Sequence, residues 1–257
     1  MAYLTLILIA LAIIILFIVF KTILKAFFKL FFIVFIIIAI VSSGVVYLVA
    51  RDVRDFQEKF TISDNLVLLE DNSRIISGFI IKKGGELAVV DDVKLQEYGN
   101  YYSSKDYNTM LASNYKLIII KIAAFDKPGN IDFNGQQHDR KFLLDVVKAE
   151  KPVDTFLAGM LDKLGIALVR QEDLESKDDD ARLKAAIFAT FYTNDLGTNP
   201  VNIALEYKKG NILVYPETIM FKVIKFLPLN ILESAGLFNE KIYKQNITGM
   251  VAWLRRQ

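Results

Sequence analysis

Two long apolar segments open the chain, separated by a short stretch that carries lysines. Tyr3–Phe20 and Leu30–Ala50 contain no charged residue. As a helix, the 21 residues from Leu30 to Ala50 would be about 31 Å long, close to the hydrocarbon thickness of a bilayer. We therefore predict that Leu30–Ala50 crosses a membrane.

The first apolar segment, Tyr3–Phe20, has 18 residues, the short end of the range for a span. A secretory signal peptide is the alternative. It fits poorly, because no basic residue precedes the segment, the apolar run is long for a signal peptide, and Phe20-Lys21-Thr22 is not a small-residue cleavage site. We predict that this segment is retained as a first span.

The stretch between the two segments predicts how they are joined. Lys21, Lys25 and Lys29 recur every four residues, so in a helix they share one face. An unbroken helix over residues 3–50 would be about 72 Å long, more than twice the hydrocarbon thickness. We predict a transmembrane helical hairpin whose connection lies at the lipid headgroups, with the lysines facing water or phosphate. Alternatively, the lysines only mark where each span stops.

The number of basic residues near the ends of the spans does not decide the orientation of the protein in the membrane, because it is the same on the two sides. The connection has three lysines, and the stretch after the second span also has three basic residues, Arg51, Arg54 and Lys59. Nearby acidic residues neutralise only the second group, and the N-terminal tail has no basic side chain. Both points favour an extracytoplasmic domain over a cytoplasmic one. The predicted membrane-interface residues are Lys21, Lys25, Lys29, Arg51 and Arg54.

After the second span, residues 51–64 have the pattern of a helical stalk. Val53, Phe56 and Phe60 share one helical face, opposite a charged face. We expect this apolar face to dock either on the domain that follows or on a second copy of the chain.

From residue 65 to 257 the pattern predicts one globular α+β domain. Segments 66–70, 75–81 and 87–90 have the composition of a three-stranded meander, in which Gly78 indicates a bulge or a close backbone approach. The nearly all-apolar segment 115–122 predicts a strand buried on both faces. Later segments predict helices beginning after Asp139, after Asp154, at Ala181 and at Pro200 (ending at Gly210), with a strand at 212–215 between helical stretches. Strands first and helices later favour α+β over a regular doubly wound sheet.

Composition excludes several classes of site. The chain has 31 basic and 29 acidic residues, and only three lysines and no acid lie in residues 1–50, so the rest is close to neutral. This is not the charge of a nucleic-acid-binding domain. Without cysteine and with one histidine, thiolate and paired-histidine metal sites are excluded. We expect no cofactor and assign no catalytic or metal-binding residue.

Candidate chemistry is weak elsewhere. His138 lies in a polar segment and is interpreted as a solvated loop histidine rather than a general base. Serine–lysine pairs, Ser77 with Lys82 or Lys83 and Ser103 or Ser104 with Lys105, are considered for a hydrolase but rest only on sequence proximity. The acidic run 172–180 is interpreted as helix capping and a solvated linker rather than a cation site.

Two further segments suggest surfaces. Tyrosines are concentrated between residues 98 and 115, which suits either a partner surface or a helix packed on the sheet. Segment 219–232 is apolar apart from two lysines, and suits either a core helix or one lying on the bilayer. The residues assigned to a possible partner surface are Tyr98, Tyr101, Tyr102 and Tyr107.

Together these patterns predict a non-enzymatic, membrane-anchored binding or scaffold protein that holds a partner protein or envelope component at the bilayer. A homo-oligomer through the spans and stalk is possible. The alternatives are a membrane-tethered hydrolase acting on peptide, lipid or polysaccharide, and an accessory subunit of a larger membrane complex that packs through Ser42, Ser43 and Gly44.

Overall fold

A computed structural model describes residues 2–164, 177–197 and 200–226 of the chain. Its first element is a single helix, α1 (Ala2–Ile62), of 61 residues. We predicted two helices joined by a turn, and the structure does not contain that turn. The physical reason is local, since residues 21–29 include no glycine or proline and nothing in them breaks a helix.

Within α1, the part from Ile23 to Phe60 is long and apolar enough to cross a membrane, and an 18-residue window within it has a mean hydropathy of 2.9. Signal sequences can share this length and composition. The chain divides into two compact units, Met1–Arg51 and Asp52–Gln257. The domain boundaries predicted at residues 50 and 64 stay predictions.

The second unit is a mixed α+β fold around a five-stranded sheet, which confirms the predicted class. The strands are β1 (Asn65–Asp71), β2 (Arg74–Ile81), β3 (Leu87–Val89), β4 (Lys116–Lys121), β5 (Asn130–Phe133), β6 (Gln136–Asp139) and β7 (Ile212–Tyr215). The strand order in the sheet is β3-β2-β1-β4-β7, in which β1 and β4 are parallel and the other pairs are antiparallel. A separate hairpin is formed by β5 and β6.

Helices cover both faces of the sheet. The helices after α1 are α2 (Asp92–Ser103), α3 (Tyr107–Leu111), α4 (Arg140–Lys148), α5 (Pro152–Leu164), α6 (Lys177–Tyr192), α7 (Pro200–Lys208) and α8 (Ile219–Phe226), and a π-helical turn, Thr193–Gly197, follows α6. One face of the sheet packs on α2 and α3 through Leu66, Leu68, Leu117 and Ile119. The opposite face carries the larger core, which includes Phe188 of α6.

Several local predictions are confirmed. Residues 117–120 of β4 are buried on both faces, as their uninterrupted apolar run predicts. A side chain at Gly78 would come within 2.5 Å of the Leu68 side chain, so the close approach expected at this glycine is present. Asp139 caps α4 by accepting a hydrogen bond from the Lys141 amide at 2.7 Å.

Two helix starts differ from the prediction. The helix expected after Asp154 begins at Pro152, because proline suits the first helical position. Its Val153 amide donates to Asp180 of α6 at 3.2 Å, so a distant carboxylate supplies the cap. The helix expected from Ala181 begins earlier, at Lys177. Gly165, residues 171–176 and Asn199 lie outside the described residues.

The end of α1 docks on the domain itself, one of the two outcomes expected for the stalk. Phe56 is buried, with its ring centroid 5.1 Å from that of Phe60 and 5.8 Å from that of Phe221. The Asp52 carboxylate accepts a hydrogen bond from the Met220 amide at 2.7 Å. Residues from Asp52 onward therefore belong to the folded domain.

Candidate functional site: a groove at the free edge of the sheet

A groove runs along the outer edge of β7, the last strand of the sheet. Its volume is about 420 Å³. Within the part of the chain that the structure describes, β7 pairs with β4 on one side and with no strand on the other. The residues used below to describe the groove are Tyr102, Tyr107, Tyr207, Tyr215, Glu217 and Lys225.

The register of β7 shows which backbone groups face the groove. The Lys121 amide donates to the Asn211 carbonyl at 2.8 Å, and the register continues from there to the pair Leu117 and Tyr215. Hydrogen-bonded and non-bonded pairs alternate along an antiparallel ladder. Leu213 and Tyr215 therefore bond to β4, and the N–H and C=O groups of Ile212 and Val214 point to the free edge.

One wall of the groove consists of three aromatic rings. The Tyr107 ring centroid is 6.3 Å from that of Tyr102 and 5.9 Å from that of Tyr215. Tyr107 begins α3, whose start is fixed by the Asp106 carboxylate accepting from the Thr109 amide at 3.1 Å. Burial, followed by the negative charge of Glu70, raises the pKa of Tyr102, so its hydroxyl stays protonated at neutral pH.

The opposite wall is a polar cluster between α7 and α8. The Tyr207 hydroxyl and the Lys225 ammonium both donate hydrogen bonds to the Glu217 carboxylate. The ammonium also lies 5.2 Å from the centroid of the Tyr207 ring. Burial, and then the bond to Glu217, raises the pKa of Tyr207 to about 12. Hydrogen bonds from Lys225 and then Tyr207 lower the pKa of Glu217, which stays ionised.

The four tyrosines assigned to a possible partner surface do not lie on one surface in the structure. Tyr102 and Tyr107 line the groove and are half-buried. Tyr101 is half-buried against the core beneath α2, and Tyr98 is only 8% exposed. Burial raises the pKa of Tyr98, and the charge of Glu97 adds to this effect. The structure therefore brings two of the four tyrosines to a concave surface and packs the other two onto the sheet.

Sequence reasoning missed the residues of the second wall and Tyr215. They lie at least 90 positions from the tyrosine cluster, and no local spacing connects the two sets. The only available signal was the prediction of a short late strand at 212–215, which did not indicate that it would be an edge.

The interpretation of His138 as a solvated loop residue is wrong. The side chain is only 3% exposed and lies among three phenylalanine rings, with centroid distances of 6.2 Å to Phe133, 6.2 Å to Phe142 and 5.6 Å to Phe156. Within strand β6 only residue 138 is buried, and it lies opposite the buried Ile131 of β5.

The hydroxyls of the serines considered as nucleophiles of a hydrolase are either hydrogen-bonded within a helix or buried. Ser103 and Ser104 donate hydrogen bonds to carbonyl groups of their own helix, Ser103 to Gly99 at 2.9 Å. Ser77 is 1% exposed, and Lys82 donates to Asp64 at 2.8 Å. None of these serines presents its hydroxyl to the groove.

The side chains of the predicted membrane-interface residues are all exposed: Lys21, Lys25, Lys29, Arg51 and Arg54. Their position at a membrane interface stays a prediction. Most of the acidic run 172–180 lies outside the described residues.

Comparisons of the chain with protein-family models, with curated proteins and with solved structures found no match.

Proposed function

We propose that the protein is a membrane-anchored, non-enzymatic binding protein that holds a partner polypeptide at the bilayer. In this proposal α1 provides the anchor, and the partner adds an extended segment to the free edge of β7. One observation carries the proposal: within the described residues, the edge of β7 that pairs with no strand lies between a wall of tyrosine rings and the polar cluster of Tyr207, Glu217 and Lys225.

Strand addition suits this edge for a physical reason. An added strand satisfies the outward N–H and C=O groups, while its alternating side chains point to the two faces of the sheet. One set would contact the rings of Tyr102, Tyr107 and Tyr215, and the other the cluster of Tyr207, Glu217 and Lys225. Tyrosine gives a large contact area at low entropic cost, which is typical of binding surfaces.

Replacing Val214 with proline tests the strand addition. Because the Val214 N–H faces the free edge, proline removes an outward donor and leaves the bonds to β4 in place. Extended peptides would be selected from a display library on the detergent-solubilised full-length protein, and their affinities measured for both forms. We expect the Val214→Pro variant to bind the selected peptides at least about tenfold more weakly, since loss of a backbone hydrogen bond is combined with a steric block.

The matched control is Leu213→Pro, which removes a bond to β4 and should lower the stability of the domain. Amide hydrogen exchange supplies a second readout: peptide binding should slow exchange at Ile212 and Val214. Selected peptides that bind wild type and Val214→Pro equally well, with no change in exchange at these amides, would contradict the proposal.

We also propose that Tyr3–Phe20 and Leu30–Ala50 form two spans in the membrane. As a straight helix the 61 residues of α1 would be about 92 Å long, three times the hydrocarbon thickness, so both apolar segments enter lipid only if the helix turns at the lysines. Two spans put the N terminus and the domain on the same side.

Single cysteines test this topology without background, since the chain has none. Cysteines would be placed at Ala2 and at Lys83, an exposed position in the turn after β2, and treated with an impermeant thiol reagent on intact cells. We expect both sites to be labelled or both to be protected. Labelling of only one site would show a single crossing and refute the two-span arrangement.

A further inference from the structure

Helix α8 has two contrasting faces. Met220, Phe221 and Ile224 are buried in the core. Ile219, Lys222 and Phe226, spaced by three and four residues, share the opposite face and are exposed, with Phe226 at 87%. An exposed phenylalanine and isoleucine on either side of a lysine are typical of a helix that lies in a lipid interface.

The beginning of α8 is tied to the point where the apolar part of α1 ends. The Met220 amide donates to the Asp52 carboxylate at 2.7 Å, and the Phe221 ring packs edge-on against Phe56. Asp52 follows the predicted span Leu30–Ala50 by two positions. If that span is in the bilayer, Ile219 lies within roughly two helical turns of the headgroups, since one turn rises about 5.4 Å.

We propose that the face formed by Ile219, Lys222 and Phe226 contacts the surface of the bilayer in which α1 is anchored. The inference rests on the proposed membrane anchoring and names lipid as a second partner of the domain. Ile219 and Phe226 would enter the region between headgroups and acyl chains. The Lys222 ammonium would extend to lipid phosphates, as long basic side chains do at interfaces.

A second protein copy fits this face less well than lipid. A helix of eight residues is about 12 Å long, so one of its faces offers on the order of 100 Å², against the roughly 800 Å² per partner of a stable protein interface. The exposed lysine at its centre would also meet its own copy in a symmetric dimer. For a chain already held in the membrane, by contrast, a small lipid contact requires no association step.

Fluorescence quenching measures the contact directly. Single cysteines at Phe226 and, as a matched control, at Val93 would carry an environment-sensitive fluorophore, with the full-length protein in vesicles of phosphatidylcholine and phosphatidylglycerol containing a spin-labelled lipid. Val93 is also an apolar helix residue, 69% exposed, on α2. We expect quenching at position 226 to exceed that at position 93 by at least about twofold, and Lys222→Glu to reduce it.

The outcomes separate this inference from the proposed anchoring. If alkaline carbonate leaves the protein in the membrane fraction but positions 226 and 93 are quenched equally, the inference about α8 is wrong and the anchoring stands. If carbonate releases the protein from the membrane, the anchoring itself fails. Quenching at 226 that Lys222→Glu does not change would overturn the role given to the lysine.

Discussion

Replacing Asp195 with alanine should lower the free energy of unfolding by about 3–5 kcal/mol, because it leaves a buried guanidinium without its partner. Asp195 lies in the turn Thr193–Gly197 and accepts a hydrogen bond from Arg140 at the start of α4. The two side chains are only 9% and 11% exposed. The Arg140 guanidinium also lies 5.1 Å from the Phe191 ring centroid, and this contact supplies no second negative charge.

Urea unfolding followed by circular dichroism, with the full chain in detergent, would measure this loss. An exposed pair supplies the control: Lys151 and Asp154 are 3.7 Å apart and more than half exposed, so Asp154→Ala should change stability by less than about 1 kcal/mol. The double variant Arg140→Met with Asp195→Leu should lose much less than Asp195→Ala, since no unpaired charge remains. Equal losses in the single and double variants would show that the ion pair is not the cause.

The parts of the fold that were predictable are those in which local pattern and burial agree. The burial of β4 on both faces was predictable from its sequence alone, because a strand that is buried on both faces has apolar residues at successive positions and no polar alternation. The free edge of β7 was not predictable, because it depends on which strands pair across about 90 residues. The burial of His138 was missed for a related reason: its sequence neighbours are polar, and its inward position depends on the pairing of β6 with β5, in which it lies opposite Ile131.

The end of α1 shows a different limit of sequence reasoning. The spacing of Phe56 and Phe60 predicted an apolar face, and this pattern left open whether the domain or a second copy covers it. The hydrogen bond between Asp52 and Met220 joins residues 168 positions apart. The hairpin prediction came from bilayer thickness, an external constraint, while the continuous helix follows from local propensity alone.

Phe56→Ala should also destabilise the domain strongly, by about 3–5 kcal/mol, the cost of removing a buried aromatic ring and leaving a cavity. Phe56 is 7% exposed and contacts Phe60 and Phe221, so its ring joins the last turns of α1 to α8. Loss of the ring should also loosen the start of α8, which would appear as faster hydrogen exchange at the Met220 amide.

Phe226→Ala is the matched control, because it makes the same chemical change at a position that is 87% exposed. It should alter stability by no more than about 0.5 kcal/mol, as surface substitutions usually do. The same urea unfolding measurement serves for both variants. If Phe56→Ala were as mild as Phe226→Ala, the end of α1 would not be part of the domain core, and the contact between Phe56 and Phe221 would not stabilise the domain.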